Sequence, residues 1–436
     1  MVVLEEMRLT GARKIKGSVG LPGDKSISHR TALIAALASG KTDIRRFSSA
    51  QDCASTLACL QQLGVSIEID DAGLVHIEGT QQLKAPTAPL DCGNSGSTMR
   101  ILAGVLAGQN FTAELIGDES LSSRPMRRII EPLELMGARI ESNDGKPPLR
   151  IHGSNSLLPI TYELPVASAQ VKSAILFAAL FANGRTTVIE KSPSRDHTER
   201  LFNGFGVPVT TNDALSITID GPARFTGGAI AIPGDISSAA YFIAAAMLLP
   251  NSELTIAEVG LNPTRAAFLS VFNSWGADIS TSDVRTERNE PVGRITVRGG
   301  LRSVPREEDR ILSGAMIPSL IDELPLLAVV GTQVPGGIQI RDAEELRLKE
   351  SDRLQATAIN LRAMGADVDE FDDGIAVSGP TQLRGAAIDS FNDHRIAMAF
   401  SIAALLADGE TEIKNSECVA ISFPEFFSIL NTVAER

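Results

Sequence analysis

The chain has 436 residues, enough for two or more domains with ample core. Its net charge of −13 and its 4% aromatic content argue against a nonspecific binder of nucleic acid or of anionic membranes. No long apolar run suggests a transmembrane span or a signal core, so a soluble protein is expected.

In chain order, the first informative stretch is Pro22-Gly23-Asp24-Lys25-Ser26-Ile27-Ser28-His29-Arg30. Pro and Gly break the chain, Asp24 or Ser26 can cap, and the Ala-, Leu- and Ile-rich run to Ser39 predicts a tightly packed helix. Lys25 and Arg30 beside a helix N-terminus suit an anion, because free N–H groups and the helix dipole point the same way. Alone, the stretch reads equally well as a solvated helix start, and it does not match a P-loop.

Variants of this start recur along the chain. They begin at Asp91-Cys92-Gly93-Asn94, Pro165-Val166-Ala167-Ser168, Pro233-Gly234-Asp235, Ile321-Asp322-Glu323 and Asn392-Asp393-His394-Arg395. Each leads into an Ala-rich apolar run. A second helix then ends at Gly64, Gly137, Gly206, Gly276 and Gly365, spaced about 70 residues apart except for a last interval of about 90. Paired apolar runs follow, each ending in Gly: Gly79, Gly153, Gly221, Gly299 and Gly379.

The predicted repeat is therefore helix, strand, helix and hairpin, six times over, in two groups of three. The fold class is α/β. The expected domains are 22–232, and 1–21 with 233–436, with a substrate cleft between them. The sixth repeat lacks its hairpin, and residues Met7 to Val19 are expected to supply it.

Cys53, Cys59, Cys92 and Cys418 form no C-x-x-C pair and have no His at metal spacing. They read as reduced core thiols, which points to the cytoplasm. If the helix starts converge, they gather the cations Lys25, Arg30, Arg100, Arg124, Lys172, Arg195, Lys349, Arg353 and Arg395 with the carboxylates Asp322 and Glu350. Ser26, Asn94, Ser168 and Gln170 add neutral hydrogen-bonding groups. Such a set suits two small phosphorylated or carboxylated substrates with proton-transfer groups between them.

These motifs resemble the 5-enolpyruvylshikimate-3-phosphate synthase family over essentially the whole chain. They are the Pro22–Arg30 stretch, Gly93-Asn94-Ser95-Gly96, Ser123-Arg124-Pro125-Met126, Ser168-Ala169-Gln170-Val171-Lys172, Arg195-Asp196-His197-Thr198-Glu199, Leu346–Leu354 and Asn392–Arg395. With Asn262-Pro263-Thr264-Arg265 they look like the class II branch. The resemblance implies two similar domains, each of three βαβαββ units, in the inside-out α/β barrel of enolpyruvyl transferases.

It also implies roles. Lys25, Ser26, Arg30, Ser168, Ala169, Gln170, Arg195, Asp322 and Lys349 would hold shikimate 3-phosphate. Lys25, Gly96, Arg124, Gln170, Arg353 and Arg395 would hold phosphoenolpyruvate. Asp322 would take the proton of the attacking hydroxyl, and Glu350 with Lys25 would handle the proton at the methylene carbon. No cofactor, metal, nucleic acid or membrane is implied, and a monomer is expected. Glyphosate would compete with phosphoenolpyruvate, with Gly96 leaving room for it.

Two positions depart from the family pattern: Ile421 stands where class I has a Lys, and Ile101 where a Pro is usual. Roles for Arg100, Lys172, His197 and His394 stay open. The competing readings are the related UDP-N-acetylglucosamine enolpyruvyl transferase, whose reactive loop Cys is missing from Gly117–Arg124, and a non-catalytic anion binder on the same scaffold.

Overall fold

A computed structural model describes residues 6–80, 82–213 and 215–436. It divides into two compact units. Unit one comprises residues up to Pro22, Gly234–Arg285 and Pro291–Arg436; unit two comprises Gly23–Pro233 and Thr286–Glu290.

Unit two is built around three helices, Lys25–Leu37, Gly96–Ala107 and Ala169–Ala179. Their apolar residues are spread around the helix rather than along one stripe, so each is driven into the interior on all sides. In the first, every residue from Ile27 to Leu37 is buried. Each start is capped, the first by one of the two residues the sequence offers: Asp24 accepts from Ile27 N–H at 2.9 Å, Ser95 from Thr98 N–H at 3.1 Å and Ser168 from Val171 N–H at 3.4 Å.

Three four-stranded sheets surround these helices, all of one pattern. In the second, Leu90–Asp91 lies parallel to Thr112–Ile116, which runs antiparallel to Lys146–His152, and Arg139–Asn143 completes the hairpin. In the first, the leading strand comes from the unit's far end: Ala229–Ala231 pairs parallel with Ser39–Arg45, Ala229 opposite Asp43. These short leading strands, two or three residues each, carry too little periodicity to be read from the residues alone.

Unit one repeats the scheme around Ile236–Leu248, Leu324–Gly331 and His394–Leu406. The N-terminal segment does not form the expected hairpin. Glu6–Thr10 pairs antiparallel with Glu410–Lys414 and stands in for the sixth repeat's missing strand. Lys14–Val19 instead runs parallel to Glu253–Gly260 in the fourth repeat's sheet. A sequence run can show two strands, but which sheet each joins depends on partners hundreds of residues away. The long hairpin Asp278–Glu287 and Glu290–Arg298 sends its tip, Thr286–Glu290, into unit two, where Glu290 Oε1 meets His197 Nδ1 at 2.7 Å.

The recurring glycines have two distinct causes. Gly64, Gly137, Gly206, Gly276 and Gly365 end helices at φ between 85° and 105°, a left-handed region that costs other residues a steric penalty. Gly79, Gly153, Gly221, Gly299 and Gly379 pass so close to a helix end that a Cβ would fall 2.2–2.5 Å from a backbone carbonyl oxygen. Among the described residues no single helix is long and apolar enough to cross a membrane, although the bent pair Gly314–Leu320 and Leu324–Gly331 would pass together by length and composition.

Two expectations follow from this packing. A Cβ at Gly104 would sit 2.1 Å from Ala174 O, so Gly104→Ala must push apart two close-packed helices. It should lower the unfolding free energy by about 1–3 kcal/mol in denaturant titrations, whereas no loss would mean the helices can part freely.

The second concerns His29, which is fully buried and bonded through Nδ1 to Thr56 Oγ1 at 2.7 Å. Burial, then Lys25 and Arg30, holds its pKa well below 6.5. The unfolded chain therefore binds the extra proton first as pH falls. The stability of the neutral ring is present above about pH 6.5 and lost below it, at up to about 1.4 kcal/mol per pH unit. His29→Gln should flatten the fall in stability between about pH 7 and about pH 5. An unchanged slope would show that His29 does not titrate on unfolding.

Candidate active site

In unit two, the predicted residues sit at the polar starts of the three buried helices and in the segments packed on them. Lys25 opens the first helix, and its Nζ meets Asp52 Oδ2 at 2.9 Å. Ser26 follows, half-buried, and its carbonyl accepts from Arg30 Nη1 at 2.9 Å. Arg30 also donates from Nε to Thr198 Oγ1 at 2.8 Å and from Nη2 to Ser173 Oγ at 3.0 Å. Burial, and next the charge of Arg195, brings the Arg30 pKa down to about 10. Two guanidiniums that repel each other in a buried setting are an arrangement suited to an anion.

Gly96 is the first residue of the second helix. Arg124 lies beside it, donating from Nη2 to Asn94 Oδ1 at 2.8 Å and to Ser120 Oγ at 3.0 Å. At the third helix, Ser168 is the cap, Ala169 the first residue and Gln170 the second. Gln170 is held at both ends of its amide: Oε1 accepts from Arg100 Nη1 at 2.7 Å, and Nε2 donates to Ser97 Oγ at 3.0 Å. The space at Gly96 is not open. A Cβ there would lie 2.5 Å from Arg100 Nη1 and 3.5 Å from Arg124 Nη1.

In unit one, Asp322 occupies the break between Ile317–Leu320 and Leu324–Gly331. Three arginines surround it: Arg353 Nη1 at 3.5 Å, Arg265 Nη1 at 3.6 Å and Arg395 Nη2 at 3.9 Å. Arg353 binds Glu350 Oε2 at 2.6 Å and Asp393 Oδ2 at 2.8 Å. Arg395 donates to Ser237 Oγ and lies 3.6 Å from Glu323 Oε1. Although burial disfavours their charge, the carboxylates around them hold the pKa values of Arg353 and Arg395 above the ordinary range, with Tyr241 contributing to that of Arg395. Asp322, Glu350, Arg353 and Arg395 thus form one connected cluster. Lys349 precedes Glu350 and is half-buried.

Sequence reasoning missed several members. Asp52, Ser173 and Thr198 carry no pattern that ties them to Lys25 or Arg30. Glu323 and Asp393 were legible only as helix-start residues. Arg265 stood in the Asn262–Arg265 motif as a branch marker, yet the structure puts it 3.6 Å from Asp322 and 3.5 Å from Glu323 Oε1.

The four cysteines are buried and free, as expected. Burial pushes the thiols of Cys53 and Cys418 up, the latter to about 12. The Cys59 thiol, together with burial, raises that of Cys92. None of these three is poised as a thiolate nucleophile.

Unit two offers guanidiniums and an ammonium for phosphate or carboxylate groups, and unit one offers guanidiniums beside two carboxylates able to move protons. The comparisons with known proteins agree with that chemistry. The family model described as EPSP synthase (3-phosphoshikimate 1-carboxyvinyltransferase) matches residues 9–430. The 3-phosphoshikimate 1-carboxyvinyltransferase of Koribacter versatilis is 51% identical over 435 residues, covering 99% of this chain and 100% of the relative. That of Geobacillus kaustophilus is 47% identical, covering 97% and 99%. The solved EPSP synthase of Acinetobacter baumannii superposes with a TM-score of 0.86 at 40% identity, over 98% of both chains. With the model matching nearly end to end and relatives near half identical over their full length, the chain belongs to the EPSP synthase family.

Proposed function

We propose that the protein is a 3-phosphoshikimate 1-carboxyvinyltransferase of the shikimate pathway. It moves the enolpyruvyl group of phosphoenolpyruvate to the 5-hydroxyl of shikimate 3-phosphate and releases phosphate. The observation that carries this reading is the cluster of Asp322 and Glu350 among Arg265, Arg353 and Arg395. Binding anions alone calls for cations, whereas moving protons to and from substrate also calls for carboxylates such as Asp322 and Glu350 among them.

The chemistry assigns the groups. C2 of phosphoenolpyruvate becomes electrophilic only when C3 takes a proton, so Glu350, with Lys25, serves that carbon. The attacking 5-hydroxyl gives its proton to Asp322 as its oxygen bonds to C2. In the resulting tetrahedral ketal, return of a C3 proton to Glu350 and cleavage of the C2–O bond to phosphate restore the double bond, and the departing phosphate carries away the proton held by Asp322. Arg124, Arg353 and Arg395, with Gly96 and Gln170, hold phosphoenolpyruvate, because guanidinium forks match carboxylate and phosphate oxygens. Ser26, Arg30, Ser168, Ala169, Gln170, Arg195 and Lys349 hold shikimate 3-phosphate, with Arg30 and Arg195 favouring its phosphate. The Ser168–Lys172, Arg195–Glu199 and Asn262–Arg265 motifs favour the class II branch, and a cytoplasmic monomer suits a metabolic enzyme with reduced thiols.

Phosphate release from the two substrates tests the activity directly. Asp322→Asn and Glu350→Gln should each lower kcat by about 10²–10⁴-fold with shikimate 3-phosphate affinity little changed. Near-normal turnover in either variant removes that residue from the mechanism.

Gly96→Ala tests the phosphoenolpyruvate side. The new methyl displaces the Arg100 guanidinium and releases Gln170 from it. Loss of one such hydrogen bond should raise the KM for phosphoenolpyruvate by about fivefold. The inhibition constant of glyphosate should rise further, since the longer molecule meets the methyl as well. Equal or absent changes in the two constants would show that residue 96 does not set tolerance.

A further inference from the structure

Lys172 takes no part in the chemistry described above, yet it is one of the most completely buried charges in the molecule, at 1% exposure. It lies in the first turn of the Ala169–Ala179 helix. Its Nζ meets Glu190 Oε2 at 2.8 Å and Glu199 Oε1 at 2.7 Å. Glu190 and Glu199 are themselves 3% and 5% exposed.

The two carboxylates bracket one segment. Glu190 directly follows the strand Gly184–Ile189, and Glu199 lies in the first turn of the helix His197–Gly204. Between them the chain carries Arg195, which is half-buried. Ser194 ties the segment back by donating to Glu190 Oε1 at 2.5 Å. Next to Lys172, Ser173 shares a hydrogen bond with Thr198 at 2.7 Å, and both accept from Arg30. One helical turn thus holds Arg30 directly and both ends of the Arg195 segment through Lys172.

We propose that Lys172 is a positioning residue, clamping Glu190 and Glu199 so that the Arg195 guanidinium is fixed beside Arg30 for the phosphate of shikimate 3-phosphate. The proposal rests on the assignment of Arg195 to that phosphate. An ammonium suits the task, since its three donors reach both carboxylates at once. Buried ion pairs contribute little net stability once desolvation is counted, so the value of this one lies in the geometry it imposes.

The test is a mutational cycle in the full-length enzyme. Removing Lys172 alone would strand two buried carboxylates, so the uncharged triple variant Lys172→Met/Glu190→Gln/Glu199→Gln is compared with Arg195→Gln and with the combination of all four. Lys172→Arg goes through the same cycle in case the triple variant does not fold. The KM for shikimate 3-phosphate should rise about tenfold or more in the triple variant, with kcat and the KM for phosphoenolpyruvate within about twofold of the parent. Adding Arg195→Gln to it should cost little more, because the clamp acts through Arg195. An unchanged KM, or effects that multiply, would overturn the positioning role and leave Lys172 a packing residue. If Arg195→Gln alone leaves the KM unchanged, the phosphate assignment itself fails and this proposal falls with it.

Discussion

The constraint on which the structure depends is the burial of whole helices. A helix apolar on every face can be placed only where nothing touches water, and its side surfaces are then closed to polar chemistry. Its first turn remains the place where unpaired N–H groups, the positive end of the dipole and a capping side chain are found together. The Lys25, Gly96, Ala169 and His394 helices all follow this rule, with sides packed tightly and starts dense in Arg, Lys, Asp, Ser and Gln. Fold and function are thus separated along each helix axis rather than between elements.

Close packing carries a second consequence. Small residues let the helices approach one another and let strand ends pass over helix ends, so there is little slack around the site. The amide of Gln170 is held on both sides, and the space above Gly96 is occupied by the Arg100 guanidinium. A change of one methyl group there acts first on a charged neighbour.

Electrostatics follows opposite schemes in the two sets of residues. Around Asp322 three guanidiniums are matched by Glu323, Glu350 and Asp393, so the arginines are pre-oriented by internal carboxylates before any substrate arrives. Around Arg30 the hydrogen bonds go to hydroxyls and a carbonyl, and the charge of Arg195 opposes its own while Glu199, Asp24 and Glu290 offset part of that repulsion, so an anion relieves what remains. Preorganised donors of the first kind suit a group whose charge moves during reaction, and two neighbouring guanidiniums of the second kind suit a phosphate that does not react.

The sequence by itself determined the α/β class, the sixfold repeat, the buried helices with their capped starts, and most of the charged residues gathered at those starts. Those features are local: an Ala-rich apolar run, a polar residue at its start, a glycine where the backbone turns left-handed. Tertiary structure alone decided that Glu6–Thr10 and Lys14–Val19 join different sheets, that Arg265 belongs with Asp322, and that Lys172 reaches Glu190 and Glu199. The leading strands of two or three residues also came from tertiary pairing, being too short to show a period. In each case the partner lies on another element and leaves no mark in the spacing of the residues around it. What fixes such pairs is the three-dimensional approach of packed elements, and a linear pattern holds no record of it.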